Sequence, residues 1–526
     1  MAMHLTRKEI HRQLYLAGLL LLAAAIPLSH YFMSLAQLIL FVNWLVEGDL
    51  HRKLKQFFAN KAVLAFCLIF FMLVVGLIFT KDFDYALKDL RTKVPLLLLP
   101  LIISTSDPVS KKSRDMLISL FIAAVLGGSL ASTGLYFSKE FSNIRSIFPF
   151  ISHIRFSLSV VMAMVFLVFL IRDEHPYFAL PRYLYYALLL WFLFFLILAQ
   201  SLTGLCILMV ISIVAIVFYL AHRLSRRQQA LVFSVLMLMF VLGIVLLLGQ
   251  ARQAIAPKPL PISGLEMTTA NGNPYFHDTT ATQSINGHQI WVYICEPELK
   301  AGWNRRSKYD FEGEGRNGLE IKNVLFRFMT SKGLRKDSLG LSGLTNKEIY
   351  CVEGGCVDAR DINANGLAVR YRALLWEYQS YRDSGNASGF SLMMRIEYWK
   401  ASLAIIKENF WYGVGTGDMN DAFDKYYEDT HSKLSPEWRR RSHNQYLSVT
   451  VGFGIFGLFL FLFALLYPAY KLGKMRQGVF LYFLLILMLS MLTEDTIESQ
   501  AGVTFAAFFY CFLLFLPQAK MSTFES

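Results

Sequence analysis

The residues best equipped for chemistry lie together in the last quarter of the chain. Three short motifs stand in order there: Arg395-Ile-Glu-Tyr-Trp399, then Trp411-Tyr-Gly-Val-Gly-Thr-Gly417-Asp418, then Ser442-His443-Asn444-Gln-Tyr446-Leu447. A glycine-rich run, Gly452 to Gly457, follows. His443 comes directly after Arg439, Arg440 and Arg441. A neutral imidazole is the natural general base near neutral pH, and the neighbouring cations suit an anionic substrate. A lone histidine at such a place also reads as an interfacial side chain that only hydrogen-bonds at headgroup level. Arg395 carries two readings as well. It is either a helix-surface cation paired with Asp418, or a guanidinium shaped to clamp a diphosphate through two parallel hydrogen bonds.

Other candidates weaken when their surroundings are considered. A dinucleotide fingerprint needs a strand before its glycines and a helix after them. Around Gly413-Val-Gly-Thr-Gly417 the pattern before is helical, so the glycines read as a tight turn that lets backbone approach a partner. Asp82-Phe-Asp84 has the spacing of a metal-binding carboxylate pair, yet fits a surface amphipathic stretch equally well. Of six cysteines, Cys67, Cys206 and Cys511 fall in apolar runs and read as packing residues. Cys295, Cys351 and Cys356 fall outside them. Cys351 and Cys356 could close a small loop, but an odd third cysteine leaves the pairing open. No paired histidines or CxxC accompany them, so no metal site is expected.

The elements that must position these residues are membrane helices. The chain has 526 residues, 55% of them hydrophobic, with 44 Phe. They come in continuous apolar runs of roughly 17–22 residues, the length that crosses a bilayer as a helix. About twelve such spans are expected, near 13–29, 31–47, 62–80, 94–105, 115–136, 153–171, 182–199, 203–221, 230–249, 445–469, 478–494 and 500–517. The fold class is therefore an all-α integral membrane protein with one large, partly helical insert. That organisation divides the chain into 1–249, 250–442 and 443–526. Within the insert, Gly366 to Arg382 and Ser391 to Asn409 read as helices, the second with Met394, Tyr398 and Leu403 near one face. The stretch from Ala256 to Gly287 reads as irregular.

The net charge of +13 does not signal nucleic acid, because the basic residues cluster in short loops between spans. With the N-terminus in the cytoplasm, Arg7, Lys8 and Arg12, then Arg52, Lys53 and Lys55, then Lys111, Lys112 and Arg114 all fall inside. Both termini are then cytoplasmic and the insert faces outward. Lys88, Arg91 and Lys93, with Arg155, break that rule. Either the first three pair with Asp82, Asp84 and Asp89, or these cations form an anion site at the outer face.

The order of R-x-E-x-W, GVGTGD and HNQYL, followed by a glycine-rich span, resembles the Wzy_C / O-antigen ligase family. The likeness extends to the topology, about twelve spans with one large periplasmic insert between the ninth and tenth. It implies a metal-independent, inverting glycosyltransferase of the GT-C type, with no cofactor, in the inner membrane and with its active site facing the periplasm. The implied donor is a glycan on undecaprenyl diphosphate, and the implied acceptor is lipid A–core. His443 matches the family's general base and Arg395 its diphosphate-holding arginine. Arg252 matches a second arginine at the start of the insert. Arg155, with Arg91 or Lys93, would complete the phosphate site, and Asn444 is counted among the substrate contacts. Glu494 and Asp495 would orient the histidine or contact sugar. One departure stands out: Ser201 is followed by Leu202, where many relatives carry arginine.

Two rivals within the family share this chemistry, a Wzy-type polymerase and a protein O-oligosaccharyltransferase. The single dominant insert favours a ligase. From another class, a flippase or transporter of lipid-linked glycans would show internal repeats and broken helices in corresponding halves. No such symmetry is legible.

Overall fold

A computed structural model describes residues 6–138, 144–173, 181–223 and 264–516, apart from 282, 317, 365, 476 and 477, with scattered positions from 225 to 249. The protein is mostly helical. In the first half run α1 (Arg7–Ala25), α2 (His30–Glu47), α3 (Leu50–Ala59), α4 (Lys61–Gly76) and α5 (Phe83–Lys93). After them come α6 (Pro95–Thr105), α7 (Lys111–Ser138), α8 (His153–Arg172), α9 (Arg182–Leu198) and α10 (Leu202–Arg223). The middle holds α11 (Glu296–Arg306), α12 (Ile321–Ser331), α13 (Ser338–Ser342), α14 (Asn346–Glu353) and α15 (Gly366–Ser384). The last stretch holds α16 (Ser391–Glu408), α17 (Met419–Asp429), α18 (Gln445–Lys471), α19 (Gly478–Ser490) and α20 (Gln500–Leu514).

Helices occupy the expected spans, including the described positions of the ninth, but their lengths differ from a uniform set of twelve. Among the described residues, five stretches are long and apolar enough to cross a membrane: Lys61–Phe79, Lys111–Ser138, His153–Arg172, Leu202–Leu220 and Gln445–Lys471. A sixth arises if α2 and α3, bent by 115°, count as one. Three more apolar helices, α9, α19 and α20, are shorter. α6 has 11 residues and begins at Pro95, about 16 Å at the helical rise against a hydrocarbon core of roughly 30 Å. The bend after α2 falls where Gly48 and Asp49 both take positive φ, 81° and 57°.

The described residues divide into two compact units. One comprises Met1–Gly134, Phe148–Val214 and Met394–Ser526; the other comprises Leu135–Ile147 and Ala215–Met393. In the first, α8 is buried without a break from Phe156 to Leu167, and α20 from Ala501 to Phe512. A helix apolar and buried all round sits at the centre of its bundle. α4 packs along α18, α6 against α20, and α8 against α19. α16 buries Tyr398, Ala401, Ser402 and Ile405. Leu403, expected on that face, is 59% exposed instead, because burial follows the i+3 and i+4 steps from Tyr398 to Ala401, Ser402 and Ile405.

The second unit is a small helical domain around Trp303, Phe311, Phe326 and Phe328. A two-residue hairpin, Ser284–Ile285 with His288–Gln289, turns at Asn286-Gly287, both with positive φ, as such a tight turn demands. Cys351 and Cys356 form a disulfide, and Cys295 is free and buried.

Candidate active site

The site begins with how α18 starts. Asn444 is its N-cap: the side-chain oxygen accepts from the backbone N–H of Tyr446 and Leu447 at 3.0 and 3.2 Å, satisfying donors that a helix start leaves unpaired. Its amide nitrogen donates to the Leu492 carbonyl at 2.9 Å. Gln445 accepts from the Ile497 N–H at 2.9 Å and donates to Glu498 at 3.0 Å. The turn between α19 and α20, residues 491–499, is thereby stitched to the start of α18.

That turn carries Glu494, Asp495 and Glu498. One oxygen of Glu494 accepts from Arg395 of α16, and the other lies 3.7 Å from His443 Nδ1. Burial alone would push the Glu494 carboxyl up; the contact with His443 and the charges of Arg395 and Arg155 outweigh it and hold the group below its usual value. His443 takes a positive φ of 46°, uncommon outside glycine. Its N–H donates to Asp495 Oδ2 at 3.1 Å, and its ring lies 5.5 Å from that of Tyr398. Asp495 also accepts from Ser448 Oγ at 2.7 Å. Burial, and then the nearby Glu498, push its carboxyl up.

The remaining cations close the network. Arg155, near the start of α8, donates to the Asp495 carbonyl at 2.8 Å and to Ser499 Oγ at 3.3 Å, while its buried Nη1 has no hydrogen-bond partner among the described residues. Gly502 makes room here: a Cβ on it would stand 1.7 Å from the Thr496 carbonyl oxygen and 3.1 Å from Arg155 Nε. Lys93 is 2% exposed and bonds both Asp89 and Glu498 at 2.7 Å. Arg441 lies 3.5 Å from Glu498. Burial pushes Glu498 up, but Lys93 and Arg441 prevail and bring it down to about 2. Four cations thus face four carboxylates around His443.

Among the sequence candidates, His443, Arg395, Glu494, Asn444, Arg155 and Lys93 meet in this one network. Arg91 is exposed, and no hydrogen bond or ion pair of its side chain is found among the described residues. Arg252 lies outside the described residues. Asp418 does not pair with Arg395: its carboxylate accepts from the backbone N–H groups of Lys81 and Asp82. Asp82 caps α5 through the Tyr85 N–H. Asp89 is the partner expected for Lys93, whereas Glu498, Gln445 and Ser448 carried no expected role. Glu498 had a signal, a third acid in a nine-residue turn between two apolar helices.

The glycine motifs meet each other. Val414 and Gly415 donate to the carbonyls of Val451 and Gly452, both at 2.9 Å, and Ile455 donates to Phe410 at 2.8 Å. α18 is broken at Gly454, whose φ is 66°, and the loop 410–417 takes up the backbone groups that the break releases. Broken helices inside an apolar bundle persist only with such partners. Thr416 anchors the other side of the loop, donating to Leu73 of α4 at 2.7 Å.

Several helices long and apolar enough to cross a membrane mark a multi-pass membrane protein, and the buried Arg–carboxylate–His cluster lies at the ends of its helices. Residues 359–462 match the family model Wzy_C, described as O-Antigen ligase. The match contains all three motifs and the glycine run, and it supports membership of the O-antigen ligase family, a family of ligase- and polymerase-type glycosyltransferases. No curated protein matches the chain.

Proposed function

We propose that the protein is an O-antigen ligase, an inverting glycosyltransferase that moves a polysaccharide from undecaprenyl diphosphate to lipid A–core at the periplasmic face of the inner membrane. The observation that carries this reading is the Glu494 carboxylate shared between Arg395 and His443. It ties the candidate base to the candidate phosphate clamp. Twelve spans, cytoplasmic termini and an outward insert from 250 to 442 belong to the same proposal.

The chemistry follows from the parts. Glu494 faces Nδ1 of His443, which leaves Nε2 to take the proton of an acceptor hydroxyl. The hydroxyl oxygen then bonds to the anomeric carbon as the bond from that carbon to the diphosphate oxygen breaks, and the electron pair departs with the lipid diphosphate. In-line displacement inverts the centre. The leaving charge falls to Arg395 and Arg155, fixed donors in a site largely shielded from water. The orphaned Nη1 of Arg155 is a donor that a phosphate oxygen would satisfy. Arg395 must then be shared between Glu494 and the diphosphate.

The test is complementation of a cell lacking its ligase. Wild type should restore glycan-bearing lipid A–core on gels. His443→Ala and Arg395→Ala, expressed to the same level, should not, with rates lower by about 10²–10⁴ for the loss of the base. Full decoration by both variants would refute the mechanism. Restored glycan chain length without attachment to lipid A–core would make the protein a polymerase.

A further inference from the structure

The second unit holds a cleft of about 650 Å³ that the proposed chemistry does not use. Its wall is α15, the disulfide-closed turn at Cys351–Cys356 and the hairpin turn Asn286-Gly287. The volume lies within the roughly 300–1,000 Å³ of small-molecule sites, room for a short oligosaccharide.

Its lining is unusual in its balance. Three guanidiniums, Arg327, Arg360 and Arg372, stand among three carboxylates, Asp358, Asp361 and Glu377. Arg360 bonds Asp358 at 2.6 Å through Nη2, and Arg372 bonds Asp361 at 2.6 Å through Nε. Arg327 lies 3.8 Å over the Trp376 ring, and its buried Nε has no hydrogen-bond partner among the described residues. An anionic ligand would meet the carboxylates and a cationic one the guanidiniums. A hydroxyl both donates and accepts, so a row of hydroxyls fits adjacent guanidinium–carboxylate pairs, and the part of Trp376 that lines the cleft, beside the Arg327 stacked on its ring, adds apolar surface.

The geometry points to a second, glycan-holding subsite that takes a neutral oligosaccharide, with its hydroxyls on the Arg360–Asp358 and Arg372–Asp361 pairs. Arg327 Nε is a donor left for one of its oxygens. This subsite does not rest on the roles proposed for His443 and Arg395.

The experiment uses the full chain, labelled and in detergent, on an array of neutral and uronic-acid-containing glycans. Neutral glycans should be retained. Arg360→Ala should weaken retention at least tenfold while the chain stays folded, its melting temperature lowered only by the loss of the Asp358 partner, and Trp376→Phe should weaken it less. His443→Ala should bind as wild type does. The inference is overturned if no neutral glycan is retained above an unrelated membrane protein, if acidic glycans are preferred, or if Arg360→Ala binds normally. Loss of binding in His443→Ala would also overturn it, by tracing the signal to the other site.

Discussion

Glu494 is the residue on which the proposed chemistry turns, because its two oxygens face two different partners. Glu494→Gln keeps the shape but removes the charge that balances Arg395 and orients His443. We expect a turnover lower by roughly 10–100-fold, a fraction of the ~10²–10⁴ for the base itself, with an intact fold and partial recovery in Glu494→Asp. Steady-state kinetics on lipid-linked donor would read this, and unchanged turnover in Glu494→Gln would remove it from the site. Glu498 plays a different part. Its carboxylate is buried between Lys93 and Arg441, so Glu498→Gln leaves buried charge uncompensated, a loss of about 3–5 kcal/mol. The pH dependence has a definite sign. The folded value, about 2, lies below the ordinary 4.5. This stabilisation is therefore full above 4.5 and is lost as pH falls from there toward 2. Thermal melts in detergent should fall through that window in wild type, and less steeply in Glu498→Gln.

Among the elements, the broken helix α18 and the loop that mends it act as one piece. A Cβ on Gly454 would lie 2.2 Å from the Trp411 carbonyl carbon, and one on Gly413 would lie 2.3 Å from Gly452. Both glycines also have positive φ. Gly454→Ala should cost at least ~2 kcal/mol, since its backbone, at φ 66° and ψ −167°, is essentially restricted to glycine and costs another residue about 1–3, and the clash adds to it. Its melting temperature should drop well below that of a surface control such as Gly473→Ala, which also has positive φ but meets nothing within 4 Å. Equal melting temperatures would mean that the close approach is not needed. The helices themselves were legible as apolar runs, and the caps that start them are local: Ser29, Asn60, Asn444 and Ser499 each accept from the first turn of their helix. Their lengths were less legible. The run expected to continue to 494 ends as a helix at Ser490, because the acidic residues that follow are taken up by the start of α18 and by Arg155, Arg395 and Lys93.

For the whole molecule, the cysteines give a direct check. Denatured without reductant, the chain should take four alkyl groups, on Cys67, Cys206, Cys295 and Cys511, and six after reduction. Six without reductant would exclude the disulfide. Closing so short a loop is worth about 2 kcal/mol by chain entropy, so reductant should lower the unfolding temperature of the second unit modestly. The match over residues 359–462 spans both units. It includes Arg360, Asp361, Arg372 and Trp376 of the cleft as well as Arg395 and His443.

The sequence by itself determined what depends on nearest neighbours and on composition: the membrane-protein class, the positions of the helices, the motif order that marks the family, and the residue types able to act as base and clamp. The tertiary structure decided the pairings. Arg395 and Asp418 are close in the chain, yet Arg395 bonds Glu494, 99 positions away, and Asp418 caps a backbone turn more than 330 positions away. Lys93 could have snorkelled to headgroups, but two carboxylates hold it at 2% exposure. No periodicity records such partners, because a buried charge takes whichever opposite charge the packed helices bring within reach.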